Sequence, residues 1–229
     1  MSASVLSGAI APDAVIRDGK VWLLYARDSG KGGWTFHVNA SDDPLHFDPK
    51  GEIQVMSPSS QHAWEAKSII TPRVFEQGEF YYMTYVGSSL HQDYGSAMGL
   101  ARSRDLLSWE RYPLNPIFER ADGATWDNGA LWFGTLFRKG DTYYLYYEGG
   151  GGGDVAHRDE SYAGYGKTSF SQIGLATYRG PWWEDGEGRR EGRTGDRQAR
   201  GRPNSASVSN GGRTNTKEGN HEQGPENRQ

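Results

Sequence analysis

One block of sequence occurs three times in the first 150 residues, and that repetition limits the fold more than any other feature of the chain. Phe75-Glu-Gln-Gly-Glu-Phe-Tyr-Tyr-Met-Thr-Tyr85 returns 62 residues later as Phe137-Arg-Lys-Gly-Asp-Thr-Tyr-Tyr-Leu-Tyr-Tyr147. An earlier copy, Pro12-Asp-Ala-Val-Ile-Arg-Asp-Gly-Lys-Val-Trp-Leu-Leu-Tyr25, precedes Pro72 to Tyr85 by about 60 residues, with a one-residue slip at the turn. Each copy is rich in β-branched and aromatic residues on both sides of a glycine, which is the pattern of a hairpin.

A third strand follows each hairpin, with endings that resemble one another: Asn39-Ala-Ser-Asp-Asp43, Gly99-Leu-Ala-Arg-Ser-Arg-Asp105 and Gly174-Leu-Ala-Thr177. Phe47 and Trp109 stand four residues after Asp43 and Asp105, as if opening an outer fourth strand. Four antiparallel strands per repeat describe a propeller blade. A β-sandwich is the competing all-β arrangement, but sandwich strands seldom repeat as whole blocks. The third copy carries 13 extra residues between Glu148 and Gln172, beginning with five glycines and continuing through Asp154, His157, Arg158, Asp159 and Glu160. This insertion is expected to be a loop, either a flap over a site or an unstructured excursion.

Composition sets the boundary of the folded part. All eight Trp lie at or before Trp183, and beyond it the only aliphatic side chains are Ala199, Ala206 and Val208. So little apolar surface cannot offset the entropy of ordering 46 residues, so residues 1–183 are expected to form a partial propeller and 184–229 a disordered polar tail. The tail takes nine Lys/Arg and eight Asp/Glu, leaving the first part with sixteen against twenty-one, a net charge of −5. That balance argues against a nucleic-acid or anionic-membrane partner. There is no cysteine for disulfides or thiolate metal sites, and no basic leader or long apolar run at the start, so a soluble, cytoplasmic protein is the default expectation.

Inner strands of successive blades lie beside one axis, so equivalent positions converge on one funnel. Trp64-Glu65 and Trp126-Asp127 share a repeat station, an aromatic followed by a carboxylate, and Asp13 opens the first inner strand where the second copy has Arg73. Carboxylates crowded at such a mouth have their pKa values driven apart, which lets one act as an acid while another stays a base. Asp13, Glu65 and Asp127 are therefore the candidate catalytic groups. Trp64, Arg73, Trp126 and Glu148 are the candidate substrate contacts, and Trp132 is a further aromatic whose more expected role is packing between blades. The structural alternative is that Glu65 and Asp127 cap turns and that Asp13 accepts backbone hydrogen bonds.

These residues resemble the five-bladed propeller glycoside hydrolases of family 43, with relatives in families 32, 68, 117 and 130. The resemblance is carried by Pro12-Asp13-Ala-Val-Ile with Gly19-Lys-Val-Trp-Leu-Leu-Tyr25, by Thr71-Pro-Arg-Val-Phe75 with Tyr81-Tyr-Met-Thr-Tyr85, and by Gly99-Leu-Ala-Arg-Ser-Arg-Asp105 with Trp109. It extends over roughly residues 8 to 178, about three blades of the five. It implies hydrolysis of a glycosidic bond in an oligo- or polysaccharide, with Asp13 as base or nucleophile and Glu65 and Asp127 in the remaining acid and orienting roles. It implies no organic cofactor, and no Asp/Asn loop with regular ligand spacing suggests a metal. Two alternatives stay open: a carbohydrate-binding propeller without activity, and a mannoside phosphorylase, for which Arg73 and Lys67 are the only basic pair in view. Oligomeric state is not legible.

Overall fold

The computed structural model describes residues 4–89, 93, 95–121, 126–151, 171–179 and 182–183. Its regular structure is almost entirely strand, with two single 3-10 turns at Pro49–Gly51 and Ala63–Glu65. The expected polar tail and most of the glycine-led insertion lie outside the described residues.

The strands form three antiparallel sheets in chain order. The first contains β1 (Ile10–Arg17), β2 (Lys20–Asp28), β3 (Trp34–Ser41) and β4 (Ile53–Met56). The second contains β5 (Ser68–Gln77), β6 (Phe80–Ser88), β7 (Ala97–Ser103) and β8 (Glu110–Arg111), with β9 (Phe118–Glu119) also paired to β7. The third contains β10 (Ala130–Lys139), β11 (Thr142–Gly150) and β12 (Gln172–Arg179). Two ends of the expected insertion are thus strand: Gly149 pairs with Gln172 and Glu148 with Ile173. Main-chain pairing fixes Gly149 and Gly150 despite their lack of side chains.

The slip expected between the first two hairpins is a difference of turn chemistry, not of strand length. Arg17 pairs with Lys20 and Gln77 with Phe80, so both hairpins close with two residues. The first uses Asp18-Gly19, both with positive φ (50° and 75°), as a type I′ turn requires. The second and third put the glycine first, at Gly78 and Gly140 (φ 62° and 65°).

Each first strand carries one extra residue at nearly the same level: between Ile10 and Asp13, between Ile70 and Arg73, and between Leu131 and Gly134. Pro12 and Pro72 sit in two of these bulges, positions where a missing N–H costs no ladder bond. Ala11 and Thr71, just before them, are held at φ 49° and 57°, a region that side chains with a Cβ rarely adopt. A β-bulge bends its strand and re-aims the neighbouring side chains.

The first strands adjoin one another, with β5 in contact with both β1 and β10. Between the sheets lies one continuous apolar core. Leu24, Phe36 and Val38 of the first sheet are buried toward the second, and Met98 and Leu100 of the second toward the third. Phe36 meets Tyr85 edge-on at 5.9 Å, and Thr84 Oγ1 donates to the Gly134 carbonyl at 2.7 Å. Fully burying each such side chain stabilises the fold by about 1.5–3 kcal/mol. Trp182 and Trp183 fill the outer part of the gap between the second and third sheets, stacked among Tyr82, Tyr112, Tyr143 and Tyr178.

Candidate functional site

The bulges bring three sheets to one point. Asp13 on β1 accepts the Val74 N–H of β5 at Oδ2 (2.6 Å) and its neighbour Ala14 N–H at Oδ1 (2.9 Å). The Arg73 guanidinium donates back to the Pro12 carbonyl at 3.1 Å and to Pro72 at 2.9 Å. Its carbon lies 4.8 Å above the ring of Phe133 on β10, a cation–π contact with a half-open aromatic. A carboxylate, a guanidinium and an aromatic ring from β1, β5 and β10 therefore stand side by side, and Asp13 and Arg73 both remain partly exposed.

Two indoles form a second cluster. The Trp34 indole, at the start of β3, donates to Asp93 Oδ1 at 2.6 Å, and the Trp132 indole donates to the Asp93 main-chain oxygen at 3.2 Å. Both rings are half-exposed. They belong to the first and third sheets and are tied through Asp93 of the connection between β6 and β7, and Trp132 precedes Phe133 in the bulge of β10. Trp132 thus stands apart from its expected packing role. Trp34 and Asp93 were not legible in the sequence, because neither sits at a repeated station.

Glu65 and Asp127 are placed differently. Both lie in turns that precede an inner strand, folded under into the gaps between sheets, and both are shut off from solvent (0% and 4% exposed). Trp64 covers two glycines of the second sheet: a Cβ on Gly87 would come within 2.3 Å of its ring and one on Gly99 within 2.6 Å. Trp126 lies over Gly149 in the same way and stacks on Tyr147 at 5.7 Å and 15°. The predicted stacking rings are inter-sheet packing, and the glycines are the space they need.

Beneath each ring the carboxylate meets a buried tyrosine hydroxyl. Tyr147 donates to Asp127 Oδ2 at 2.8 Å, while the Tyr85 hydroxyl stands against Glu65, whose two carboxylate oxygens have no hydrogen-bond partner among the described residues. Arg111 Nε lies 2.7 Å from Glu65 Oε1 as an ion pair, its N–H turned off the oxygen. Burial raises the Glu65 carboxyl above its ordinary value, and the Arg111 charge and Tyr85 hydroxyl only partly offset it. A raised value is what a general acid needs, but Trp64 and the sheet seal this carboxyl away from any ligand in this conformation. Glu65 is held by Arg111 and Tyr85, and neither it nor Asp127 joins the Asp13 cluster in the contacts described above.

The first sheet fills the equivalent space another way. Arg27 and His37 stand at the stations of Gly87 and Gly99, and their side chains close on Glu52, whose Oε2 also accepts the Tyr25 hydroxyl at 2.6 Å. His37 Nδ1 is 3.1 Å from Glu52 Oε1. Burial pushes Glu52 up, but the hydrogen bonds of Tyr25 and Arg27 and the nearby charges overcome it and hold the carboxyl below its usual value. Burial holds His37 below its usual value too.

Glu148 points with Tyr146 to the open side of the third sheet, away from β5. Arg73 Nη1 and Lys67 Nζ face main-chain carbonyls, of Pro12 and Pro72 and of Lys31, and not one another. No cluster of three metal-ligating side chains occurs among the described residues.

No family model matches the chain, and no curated protein matches it. Solved structures do. An endo-1,4-β-xylanase from Bacteroides thetaiotaomicron superposes with a TM-score of 0.57 at 19% identity, over 76% of this chain and 57% of that one. A family 117 glycoside hydrolase from Zobellia galactanivorans gives 0.56 at 15% identity, over 77% and 54%. An N-acetylgalactosamine deacetylase from F. plautii, in complex with blood group B trisaccharide, gives 0.57 at 15% identity, over 78% and 52%. The chain shares their fold. The three sheets are therefore of the propeller type found in glycoside hydrolases, and the chain spans little more than half the length of these neighbours.

Proposed function

We propose that the chain is a carbohydrate-active protein of the glycoside hydrolase kind, which holds an oligosaccharide at the mouth formed by Asp13, Arg73, Phe133, Trp34 and Trp132. The observation that carries this reading is the convergence of the three bulged inner strands on Asp13, Arg73 and Phe133. Aromatic faces suit the apolar face of a sugar ring, while a carboxylate and a guanidinium suit its hydroxyls. The likeness to glycoside hydrolases agrees with this choice of ligand, and the five-bladed family 43 architecture remains its finer form. Asp13 is the proposed base. Each of its oxygens takes one backbone N–H and keeps lone pairs for a water or a hydroxyl.

The sealed positions of Glu65 and Asp127 favour a second reading, binding without cleavage, because glycoside hydrolysis ordinarily takes two carboxyl groups that reach the bond. The deacetylase with the same fold also shows that a sugar-recognising neighbour need not break a glycosidic bond. Release of reducing ends from a panel of oligosaccharides, run beside calorimetric binding, separates the readings. Asp13→Asn is expected to lower cleavage at least 100-fold while binding persists, the scale of a lost general base. Binding by the parent chain without any cleavage selects the second reading, and an Asp13→Asn chain that cleaves at the parent rate overturns the role of Asp13.

A further inference from the structure

One station of the repeat lies just past each inner-strand bulge, and the three copies fill it with different chemistry. Asp13 pairs with Leu24, Arg73 with Thr84 and Thr135 with Tyr146, which puts a carboxylate, a guanidinium and a hydroxyl at equivalent places. Arg17, Arg27, Arg102, Arg104 and Arg111 each have a carboxylate partner. Arg73 has no such partner among the described residues, although the first 183 residues hold more acids than bases. Asp13 does not supply one, since its oxygens take the N–H groups of Ala14 and Val74. A guanidinium charge is thus left uncompensated by any described side chain at the mouth.

The contacts of Arg73 also fix which part of the group is left to bind. Among the described residues only Nη1 donates to the protein, to the carbonyls of Pro12 at 3.1 Å and Pro72 at 2.9 Å. The guanidinium carbon stands 4.8 Å from the centre of the Phe133 ring, itself 40% exposed, and Arg73 is partly exposed. Two carbonyls and a ring therefore hold the plane in place before any ligand arrives. Nε and Nη2 remain, and they form the side of a guanidinium that presents two parallel N–H bonds. That fork matches two oxygens of a carboxylate or of a sulfate group, and an anion there also neutralises the charge. A sugar hydroxyl supplies neither the second acceptor nor the charge.

We propose that the saccharide taken by this mouth is acidic, and that Arg73 receives its carboxylate or sulfate group through Nε and Nη2. The inference rests on the sugar reading above and narrows it to sugars that carry a negative charge. Arg73 is then a specificity-determining residue. The rings of Phe133, Trp34 and Trp132 suit the apolar face of any sugar, whereas the guanidinium distinguishes a charged sugar from its neutral counterpart.

The test is binding of the full chain to immobilised oligosaccharides in uronate-containing, sulfate-containing and neutral series, with each charged series also present after carboxyl reduction or desulfation. Binders are then titrated calorimetrically. The expected binders are charged, and their neutralised counterparts bind about 10- to 100-fold less tightly, the scale of a charge-assisted hydrogen-bonded contact. Which charged series binds tells a carboxylate from a sulfate. Raising NaCl from about 50 to about 500 mM is expected to weaken binding of the charged sugars, a measurement that needs no variant. Arg73→Gln is expected to lose the preference for charge, and Arg73→Lys, which keeps the charge without the fork, to recover part of it, with circular dichroism showing that both chains fold. Neutral sugars bound as tightly as charged ones, or a preference for charge that persists in folded Arg73→Gln, overturns the inference and leaves the sugar mouth standing. Failure to bind any sugar sinks the mouth itself, and this inference with it.

Discussion

Burial of Glu65 sets an electrostatic signature that separates a held carboxylate from an open one. A carboxyl whose folded-state value is raised binds its proton more tightly in the folded than in the unfolded chain, so its contribution is present in acid and is lost as pH rises above 4.5 through the raised folded value. His37 acts in the opposite sense. Its folded value is lowered by burial, so its contribution is present above about pH 6.5 and is lost on acidification. Replacing Glu65 by Gln removes the first slope alone. Urea unfolding at pH 5 and pH 8 is expected to show the Glu65→Gln chain gaining on the parent at the higher pH, whereas a pH-independent difference would mean that Glu65 is no more buried than a surface acid. The presence of an acid at two repeat stations was readable from the sequence. Its partner was not, since Arg111 lies 46 residues away on an outer strand and carries no repeat signal.

At the scale of the strand and the turn, the hairpins were readable because tyrosine-rich segments around a glycine have a local cause. The bulges were announced only by the prolines inside strand pattern, and the third inner strand, which has none, gave no sign of its own. Gly87, Gly99, Gly149 and Gly174, in β6, β7, β11 and β12, are each a window for an aromatic ring. Their role separates them from the turn glycines by measurement. A Cβ on Gly99 would lie 2.5 Å from Tyr85 and 2.6 Å from Trp64, both fixed by the sheets, so Gly99→Ala is expected to cost about 3 kcal/mol as overpacking. Gly78 has a positive φ and nothing within 4 Å, so Gly78→Ala should cost about 1–2 kcal/mol from backbone strain alone. Chemical denaturation ranks the two, and equal losses would show that the ring does not fill the window.

For the whole molecule, the period of 60 to 62 residues sufficed to foresee three sheets about a common line, because a repeated block must bury its faces against its own copies. It did not suffice for the site. Repeat arithmetic picked out stations that two copies share, and shared stations serve the junctions between sheets, where Trp64, Glu65, Trp126 and Asp127 are buried or packed. A ligand site breaks the repeat, and Trp34, Asp93, Trp132 and the Asp13–Arg73 exchange are the places where the copies differ. The claim that these departures form a sugar mouth is tested most directly by titrating oligosaccharides calorimetrically against the parent, Trp132→Ala and Trp126→Ala chains. The account predicts binding that falls at least tenfold in Trp132→Ala and is retained by whatever fraction of Trp126→Ala stays folded. Binding that survives the loss of Trp132 and disappears from folded Trp126→Ala would contradict it.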